Sequence, residues 1–289
     1  MNDASLVAFV QEKLPSITEL HNGQGDVMRR LLSGTSSLAI IPTGGGKSLL
    51  WLLFISIAGT KGSGVKPLCI VLVPYKALIT NHIEATKPWF QETEIVTSED
   101  SEEKIIANID RASIVYMTPE KYVRNTRFKN MVTNQCGRTQ LVVIDEVHLV
   151  QEQSKFRPDM IECVRSMARD FHSTPRLALT ATSEVAHVAT LLENACMPQN
   201  TCITRVSCNR SNCHIEIVPM LDTKAKNKET KFEIDSRNMF QRFNLPGRPQ
   251  AVIFVISARP IHHQMKMMFQ MVVFQLTVNS ILEDWCQSS

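Results

Sequence analysis

Residues 36–58, SSLAIIPTGGGKSLLWLLFISIA, constrain what this chain can fold into more than any other part of it. Residues 38–41 form a short apolar run of strand length, and residues 49–58 are apolar on nearly every face, which is typical of a buried helix. Residues 42–46 between them suit neither a strand nor a helix. The pattern therefore predicts a buried strand, a glycine loop and a buried helix in direct succession.

The glycine loop has the chemistry of a phosphate-binding site. It comprises Pro42, Thr43, Gly44, Gly45 and Gly46, and Lys47 and Ser48 follow it. Consecutive glycines let backbone N–H groups turn towards one anion, and the helix that follows adds the positive end of its dipole. Lys47 supplies a charge for the outer phosphates of ATP, and the Ser48 hydroxyl is suited to hold Mg²⁺. The Walker pattern G-x-x-x-x-G-K-[ST] is incomplete, since Ile41 takes its first position. The alternative is a glycine-rich turn with a chance lysine and serine.

Four further apolar runs have strand length and are separated by helix-length segments: residues 67–73, 113–117, 140–144 and 176–179. Strands that are apolar throughout indicate a parallel sheet with helices on both faces. The predicted fold class is therefore α/β. In such sheets ligands bind at the carboxyl ends of the strands.

Two carboxylates, Asp145 and Glu146, directly follow the run at residues 140–144. They are therefore expected at the same sheet edge as the glycine loop. Asp145 is placed to hold Mg²⁺, directly or through water, and Glu146 to deprotonate the water that attacks the γ-phosphate. The alternative is that these acids cap the next helix. Together with Lys47, the pair favours an ATP-hydrolysing site.

The amino-acid composition excludes few classes of protein. Lys and Arg number 31 against 28 Asp and Glu, a net charge of +3, so overall charge implies no polyanion partner but leaves a local basic groove open. The 44% hydrophobic content suffices for a continuous core. The polar interruptions of the apolar tract at residues 267–282 argue against a membrane span.

The eight cysteines do not form a zinc pattern. The closest group is Cys202, Cys208, Cys213 and His214. It lacks the C-x-x-C pair that zinc sites usually contain. Without a secretory leader at the N-terminus, we expect reduced thiols and a nuclear or cytoplasmic protein.

Residues 1–32 have helical spacing and are expected to flank the phosphate-binding domain. Gln24 lies in this segment. Its amide can donate and accept at once and so read the edge of adenine, although on residue type alone a solvated helix glutamine is the favoured interpretation.

The order of motifs resembles the first motor domain of superfamily 2 helicases. The series runs Gln24, PTGGGKS (42–48), VLVPYKAL (71–78), TPEKY (118–122), DEVH (145–148) and LTATS (179–183). PTGGGKS behind an apolar residue, the DExH box, Phe156-Arg157-Pro158 and SCNRSN (207–212) resemble RecQ DNA helicases in particular. The resemblance covers residues 20–215.

This resemblance implies a RecA-like P-loop fold and an ATP- and Mg²⁺-dependent motor that unwinds DNA in the 3′-to-5′ direction, acting on single-stranded or 3′-tailed DNA. It implies that Gln24 reads adenine and that His148 completes the catalytic box. The residues that fall where the family contacts nucleic acid are Pro74, Tyr75, Lys76, Thr118, Pro119, Phe156 and Arg157. Thr180 and Thr182 would couple hydrolysis to movement.

Two departures from the family stand out. Leu20 and His21 occupy positions where the family has an aromatic residue and an arginine before the glutamine. Residues 149–155, LVQEQSK, contain no aromatic residue where the family carries a tryptophan-containing loop that couples DNA binding to hydrolysis. Adenine stacking and this coupling are therefore expected to differ.

The expected domains are an N-terminal helical flank (1–28), the ATP-binding domain (29–206), a linker (207–250) and the truncated start of a second RecA-like domain (251–289). Residues 251–256, AVIFVI, resemble its opening strand, but residues 260–289 are too few to complete it. Unwinding is then expected to be impaired unless a second chain supplies the missing domain. Two alternatives are a non-unwinding protein that binds ATP and nucleic acid, and an RNA helicase.

Overall fold

The computed structural model describes residues 2–60, 64–152, 157–181 and 187–207, and three strands at residues 213–219, 250–256 and 270–276. The chain divides into two compact units, Met1–Cys208 and Asn209–Ser289. The first unit contains both the predicted N-terminal flank and the predicted ATP-binding domain.

The first unit is built on a seven-stranded sheet in which all neighbouring strands are parallel. The strands are β1 (Ser37–Ile40), β2 (Leu68–Leu72), β3 (Ile95–Thr97), β4 (Ile114–Met117), β5 (Thr139–Ile144), β6 (Arg176–Thr180) and β7 (Cys202–Arg205). Their order across the sheet is β3-β4-β2-β5-β6-β1-β7. The strands that lead into the glycine loop and the two carboxylates, β1 and β5, therefore both neighbour β6.

Helices cover both faces of this sheet. They are α1 (Asp3–Gln11), α2 (Gln24–Leu32), α3 (Lys47–Gly59), α4 (Lys76–Thr86), α5 (Glu102–Asn108), α6 (Pro119–Arg124), α7 (Thr126–Thr133), α8 (His148–Glu152), α9 (Pro158–Asp170) and α10 (Val188–Asn194). The first four share one apolar core and the last six share the other. Alternate strand residues point into opposite cores: Ala39 into the first, Leu38 and Ile40 into the second.

The predicted α/β class and its apolar strands are confirmed, since β1, β2, β4, β5 and β6 each coincide with a predicted run. The two edge strands, β3 and β7, were not predicted. Between β3 and α5, Ser98 is buried, and α5 begins at Glu102. Residues 1–32 form two helices separated by a non-helical segment that contains Pro15, because proline disfavours a continuous helix.

The second unit contains β8 (Cys213–Pro219), β9 (Gln250–Ile256) and β10 (Gln270–Leu276). β10 lies between the other two and pairs antiparallel with both. β9 coincides with the expected opening strand of a second RecA-like domain, but its pairing is antiparallel, and β8 lies inside the expected linker. Among the helices that the structure describes, none has the length and apolarity needed to cross a membrane.

Candidate active site

The glycine loop joins the end of β1 to the start of α3. At each of its three glycine positions, a residue with a Cβ would be sterically unfavourable. Gly44 and Gly46 have φ angles of +80° and +68°, which residues with a Cβ rarely adopt. A Cβ on Gly45 would lie 2.5 Å from the Cγ2 of Ile41. The loop can therefore keep this path only with three consecutive glycines.

Gln24, the first residue of α2, braces this loop. Its side chain is only 1% exposed, and its Nε2 donates hydrogen bonds to the carbonyl oxygens of Gly45 at 3.0 Å and Gly46 at 3.1 Å. Its Oε1 accepts from the backbone N–H of His21 at 2.9 Å. The solvated-glutamine interpretation is therefore wrong. The amide is occupied by the loop here, and its role as an adenine reader stays a prediction.

We expect Gly46→Ala to damage nucleotide binding beyond the ordinary cost of a left-handed alanine. A Cβ there would lie 2.5 Å from the Nε2 of Gln24. Gly34→Ala is the matched control, because Gly34 has φ +81° and open space around its Cβ position. Both variants should lose about 1–2 kcal/mol of unfolding free energy. Only Gly46→Ala should also lose ATP affinity, measured by calorimetry; equal ATP affinities in the two variants would contradict this.

A line of polar contacts runs from the loop across the sheet edge. The Nζ of Lys47 lies 3.4 Å from the carbonyl oxygen of Ile41 and 4.0 Å from the Oε1 of Glu146. The other oxygen of Glu146 lies 3.4 Å from the Nδ1 of His148, which is in turn 3.0 Å from the hydroxyl of Thr180. The structure thus brings together four of the predicted site residues, from three separate motifs.

Glu146 holds this position through an unusual backbone conformation. Its φ angle is +46°, in the left-handed region that non-glycine residues seldom occupy. Such a conformation costs on the order of 1–3 kcal/mol and is found most often at functional sites. The turn places the carboxylate facing Lys47 directly after β5 ends.

Asp145 is the buried member of the carboxylate pair, at 4% exposure. Its Oδ1 accepts the backbone N–H of Glu146 at 3.0 Å, and its Oδ2 lies 3.0 Å from the Nε2 of His82. Each carboxylate oxygen has two lone pairs and uses one of them in these contacts, so each oxygen can accept one further contact. The carboxylate can therefore still bind a metal ion or a metal-bound water.

The donor set at this edge fits Mg²⁺. In the part of the chain that the structure describes, no cluster of three or more His, Cys, Asp or Glu side chains could hold a metal by itself. Mg²⁺ is normally bound by one or two carboxylates, waters and the phosphates of its substrate. Asp145 and the hydroxyl of Ser48, at the start of α3, would provide the protein's share.

His82 on α4 is the site residue that the sequence did not indicate. Its ring stacks on Tyr116 with a centroid distance of 5.6 Å and an interplanar angle of 8°, and meets Trp51 edge-on at 5.3 Å. The hydroxyl of Tyr116 lies 2.6 Å from that of Thr86 and accepts the Trp51 N–H at 3.3 Å. Burial raises the pKa of Tyr116 well above its usual value, so this phenol stays neutral.

A second cluster joins three of the motifs predicted to contact nucleic acid. The guanidinium of Arg157 lies over the ring of Tyr75, 5.1 Å from its centroid, and binds both carboxylate oxygens of Glu120, at 2.5 and 2.9 Å. Next to Tyr75, Lys76 is paired with Glu99 at 2.7 Å. We call Tyr75, Lys76 and Arg157 the aromatic–basic surface.

The carboxylate partners hold both cations in their charged form. The hydrogen bond to Glu120 raises the pKa of Arg157, and the hydrogen bond to Glu99 raises the pKa of Lys76. Partial burial raises the pKa of Glu120, but the hydrogen bond from Arg157 and nearby positive charges more than offset this, so that its pKa lies below the usual range.

The remaining predicted nucleic-acid contacts are less accessible. Pro74, Thr118 and Pro119 are buried, Thr118 to 2% exposure, and the backbone N–H of Thr118 donates to the hydroxyl of Ser98 at 3.3 Å. Thr118 is therefore shielded from solvent in this structure, because the β4–α6 turn packs it inward, and its contact with nucleic acid stays a prediction. Two predicted residues, Phe156 and Thr182, lie outside the described residues.

Known helicases are similar to this chain in sequence. RecQ-like DNA helicase BLM of Xenopus laevis is 29% identical over 206 residues, which are 68% of this chain and 14% of that protein. ATP-dependent DNA helicase Q-like 2 of Arabidopsis thaliana is 24% identical over 84% of this chain and 34% of its own length. Probable ATP-dependent DNA helicase RecS of Bacillus subtilis is 26% identical over 72% of this chain and 41% of its own length. The chain thus spans less than half of each of these relatives.

Solved helicases have the same fold. The crystal structure of the helicase MrfA bound to DNA superposes with a TM-score of 0.55 at 17% identity, covering 71% of this chain and 30% of that one. The crystal structure of the Hef helicase domain of Pyrococcus furiosus superposes with a TM-score of 0.51 at 20% identity. This match covers 68% of this chain and 39% of that one. These likenesses confirm the RecA-like fold.

The family model of DEAD/DEAH box helicases matches residues 21–191, which include Gln24, the glycine loop, both carboxylates and Thr180. The relatives confirm the RecQ resemblance of the motifs. With the loop, the carboxylates and the sheet edge in the arrangement described above, the chain belongs to the DEAD/DEAH box helicase family.

Proposed function

We propose that this chain is the ATP-hydrolysing motor part of a RecQ-type DNA helicase, which moves 3′ to 5′ on single-stranded DNA and opens 3′-tailed duplexes. The observation that carries the proposal is the continuous line of contacts from Lys47 through Glu146 and His148 to Thr180. It joins a phosphate-binding cation, a general base and a neighbouring strand end in one arrangement.

Each residue on this line has a defined task in hydrolysis. Lys47 and the N–H groups of the glycine loop bind the outer phosphates of ATP. Ser48 and Asp145 would hold Mg²⁺, which neutralises charge on the phosphate oxygens when it is bound. Glu146 accepts a proton from the attacking water, since its carboxylate faces Lys47 and hence the position of the γ-phosphate.

The contact between His148 and Thr180 supports a coupling role for this pair. The hydroxyl of Thr180 is fully buried at the end of β6, where it can respond to a change at His148 but not to solvent. Loss of the γ-phosphate changes the charge facing Glu146, and His148 is the next group along the line. The residues that perform hydrolysis can therefore transmit the loss of the γ-phosphate to β6.

The aromatic–basic surface suits single-stranded nucleic acid. Tyr75 is 43% exposed and offers a ring on which a base can stack, and Lys76 and Arg157 beside it offer charges to the phosphates. The names of the relatives favour DNA as the substrate. An RNA substrate remains the alternative to be tested.

The test is ATP hydrolysis by the 289-residue chain with Mg²⁺, with and without single-stranded DNA or RNA of the same sequence. We expect DNA to stimulate hydrolysis more than RNA does. Tyr75→Ala should weaken DNA binding by about 1–3 kcal/mol, the usual worth of one stacked base. Tyr75→Phe, which keeps the ring, should bind like the parent. Absence of stimulation by either nucleic acid would contradict the proposal.

Strand separation is measured in parallel with duplexes that carry a 3′ or a 5′ tail. Opening of the 3′-tailed duplex by the chain alone would support the full helicase proposal. Stimulated hydrolysis without opening would favour a motor that needs a second domain, from this protein or from a second chain. Binding of ATP and DNA without stimulated hydrolysis would favour the non-unwinding binding protein.

A further inference from the structure

His82 forms a direct contact between α4 and the metal-binding carboxylate. Its Nε2 lies 3.0 Å from the Oδ2 of Asp145, and the side chains are only 12% and 6% exposed. An ionised carboxylate only accepts hydrogen bonds, so the histidine nitrogen is the donor. With the backbone N–H of Glu146 on Oδ1, each oxygen of Asp145 is held by one protein donor.

The imidazole of His82 is itself fixed in place. Tyr116 stacks on it, Trp51 meets it edge-on, and both aromatic residues are fully buried. Thr86 lies one turn along α4, and its hydroxyl donates to the carbonyl oxygen of His82 at 2.6 Å. A ring held in this way presents its Nε2 in one direction, which is what a positioning group requires.

We propose that His82 is a positioning residue for Asp145: it fixes the carboxylate so that the remaining lone pairs of both oxygens are directed at Mg²⁺ or at its bound water. The inference rests on the proposed function, because it presumes that Asp145 serves Mg²⁺–ATP. Hydrogen-bonded partners of metal ligands commonly affect metal affinity in this way, by about 10- to 100-fold.

Through the contact between His82 and Asp145, α4 takes part in both the aromatic–basic surface and the metal site. The helix begins at Lys76, which belongs to the aromatic–basic surface, and carries His82 less than two turns further along. A shift of α4 when nucleic acid binds at its first turn would therefore move the donor to Asp145. His82 connects the nucleic-acid surface to the metal-binding carboxylate through a single rigid element.

The test compares ATP affinity with and without Mg²⁺, by calorimetry, in the parent chain, His82→Phe and His82→Gln. Phenylalanine keeps a flat ring between Trp51 and Tyr116 but has no donor, whereas the glutamine amide can donate. ATP affinity without Mg²⁺ should be equal in all three proteins. The gain in affinity on adding Mg²⁺ should fall by about 10- to 100-fold in His82→Phe and return towards the parent value in His82→Gln.

Tyr116→Phe is the control for a purely structural role. It removes the hydroxyl that joins Thr86 and Trp51 but keeps the ring that stacks on His82, so it should lower the unfolding temperature and leave the Mg²⁺-dependent gain unchanged. His82→Leu replaces His82→Phe if the latter does not fold.

Three outcomes would overturn the inference. The first is an unchanged Mg²⁺-dependent gain in the variant that lacks the donor, and the second is the same loss in His82→Gln and in Tyr116→Phe, which would mark a packing effect. The third is ATP binding by the parent chain that shows no dependence on Mg²⁺. Only the third would also contradict the proposed function, so the two can fail separately.

Discussion

Glu146→Gln will bind ATP and Mg²⁺ like the parent chain but hydrolyse ATP about 10²- to 10⁴-fold more slowly, the usual contribution of a general base. Glutamine has the shape of glutamate, so it can occupy the space between Lys47 and His148. Its amide cannot accept the proton of the attacking water. Loss of turnover with retained binding is the signature of a missing base.

The measurement pairs single-turnover hydrolysis with calorimetric binding of ATP in the presence of Mg²⁺. Glu162→Gln serves as the matched control, because Glu162 is a half-exposed carboxylate on α9 that pairs with Arg169. The control should hydrolyse at the parent rate. If Glu146→Gln did so as well, the general base would have to be another group.

Lys47→Ala will lose about 1.5–3 kcal/mol of ATP binding free energy, the usual worth of a hydrogen bond to a charged group, which is about a 10- to 150-fold weaker affinity. The lysine is largely buried, with its side chain 13% exposed, and its Nζ lies 3.4 Å from the Ile41 carbonyl oxygen and 4.0 Å from the Oε1 of Glu146. These long contacts leave its charge available for a phosphate.

AMP provides the control ligand for this variant. Because Lys47 is assigned to the outer phosphates, the affinity for AMP should change little while those for ADP and ATP fall. Lys87→Ala, which removes an exposed lysine paired with Glu84, should alter none of the three. An equal loss of affinity for AMP and ATP would show that Lys47→Ala had disturbed the fold and not one phosphate contact.

The central strands were predictable because a parallel sheet covered on both faces leaves few polar positions in them. Each residue of β2 is buried, so its apolar run is uninterrupted. The edge strand β7 differs, since only its third residue is buried and no run appears. β3 is buried but has only three residues, too few for a periodic signal. The length of a strand and its position in the sheet thus decided whether it could be predicted from the sequence.

The site residues were predictable where they belong to a short motif of adjacent residues. Lys47 follows three glycines and Glu146 follows Asp145, so each carries a local signal. His82 has none, because its partner Asp145 is 63 residues away and only the pairing of β2 with β5 brings α4 to it. The burial of Thr118 was likewise not evident from the sequence, because its hydroxyl is polar and only the packing after β4 covers it.

The aromatic–basic surface carries its own counterions. Proteins that bind single strands usually release mobile salt ions, so that affinity falls with a slope of about −0.7 per neutralised phosphate on logarithmic axes. Here Glu99 and Glu120 already neutralise Lys76 and Arg157, and these carboxylates are tethered to the chain. An incoming phosphate must displace a fixed anion whose local concentration does not follow the buffer. Affinity at this surface therefore depends less on ionic strength than its cations suggest, and more on how readily two glutamates rotate away.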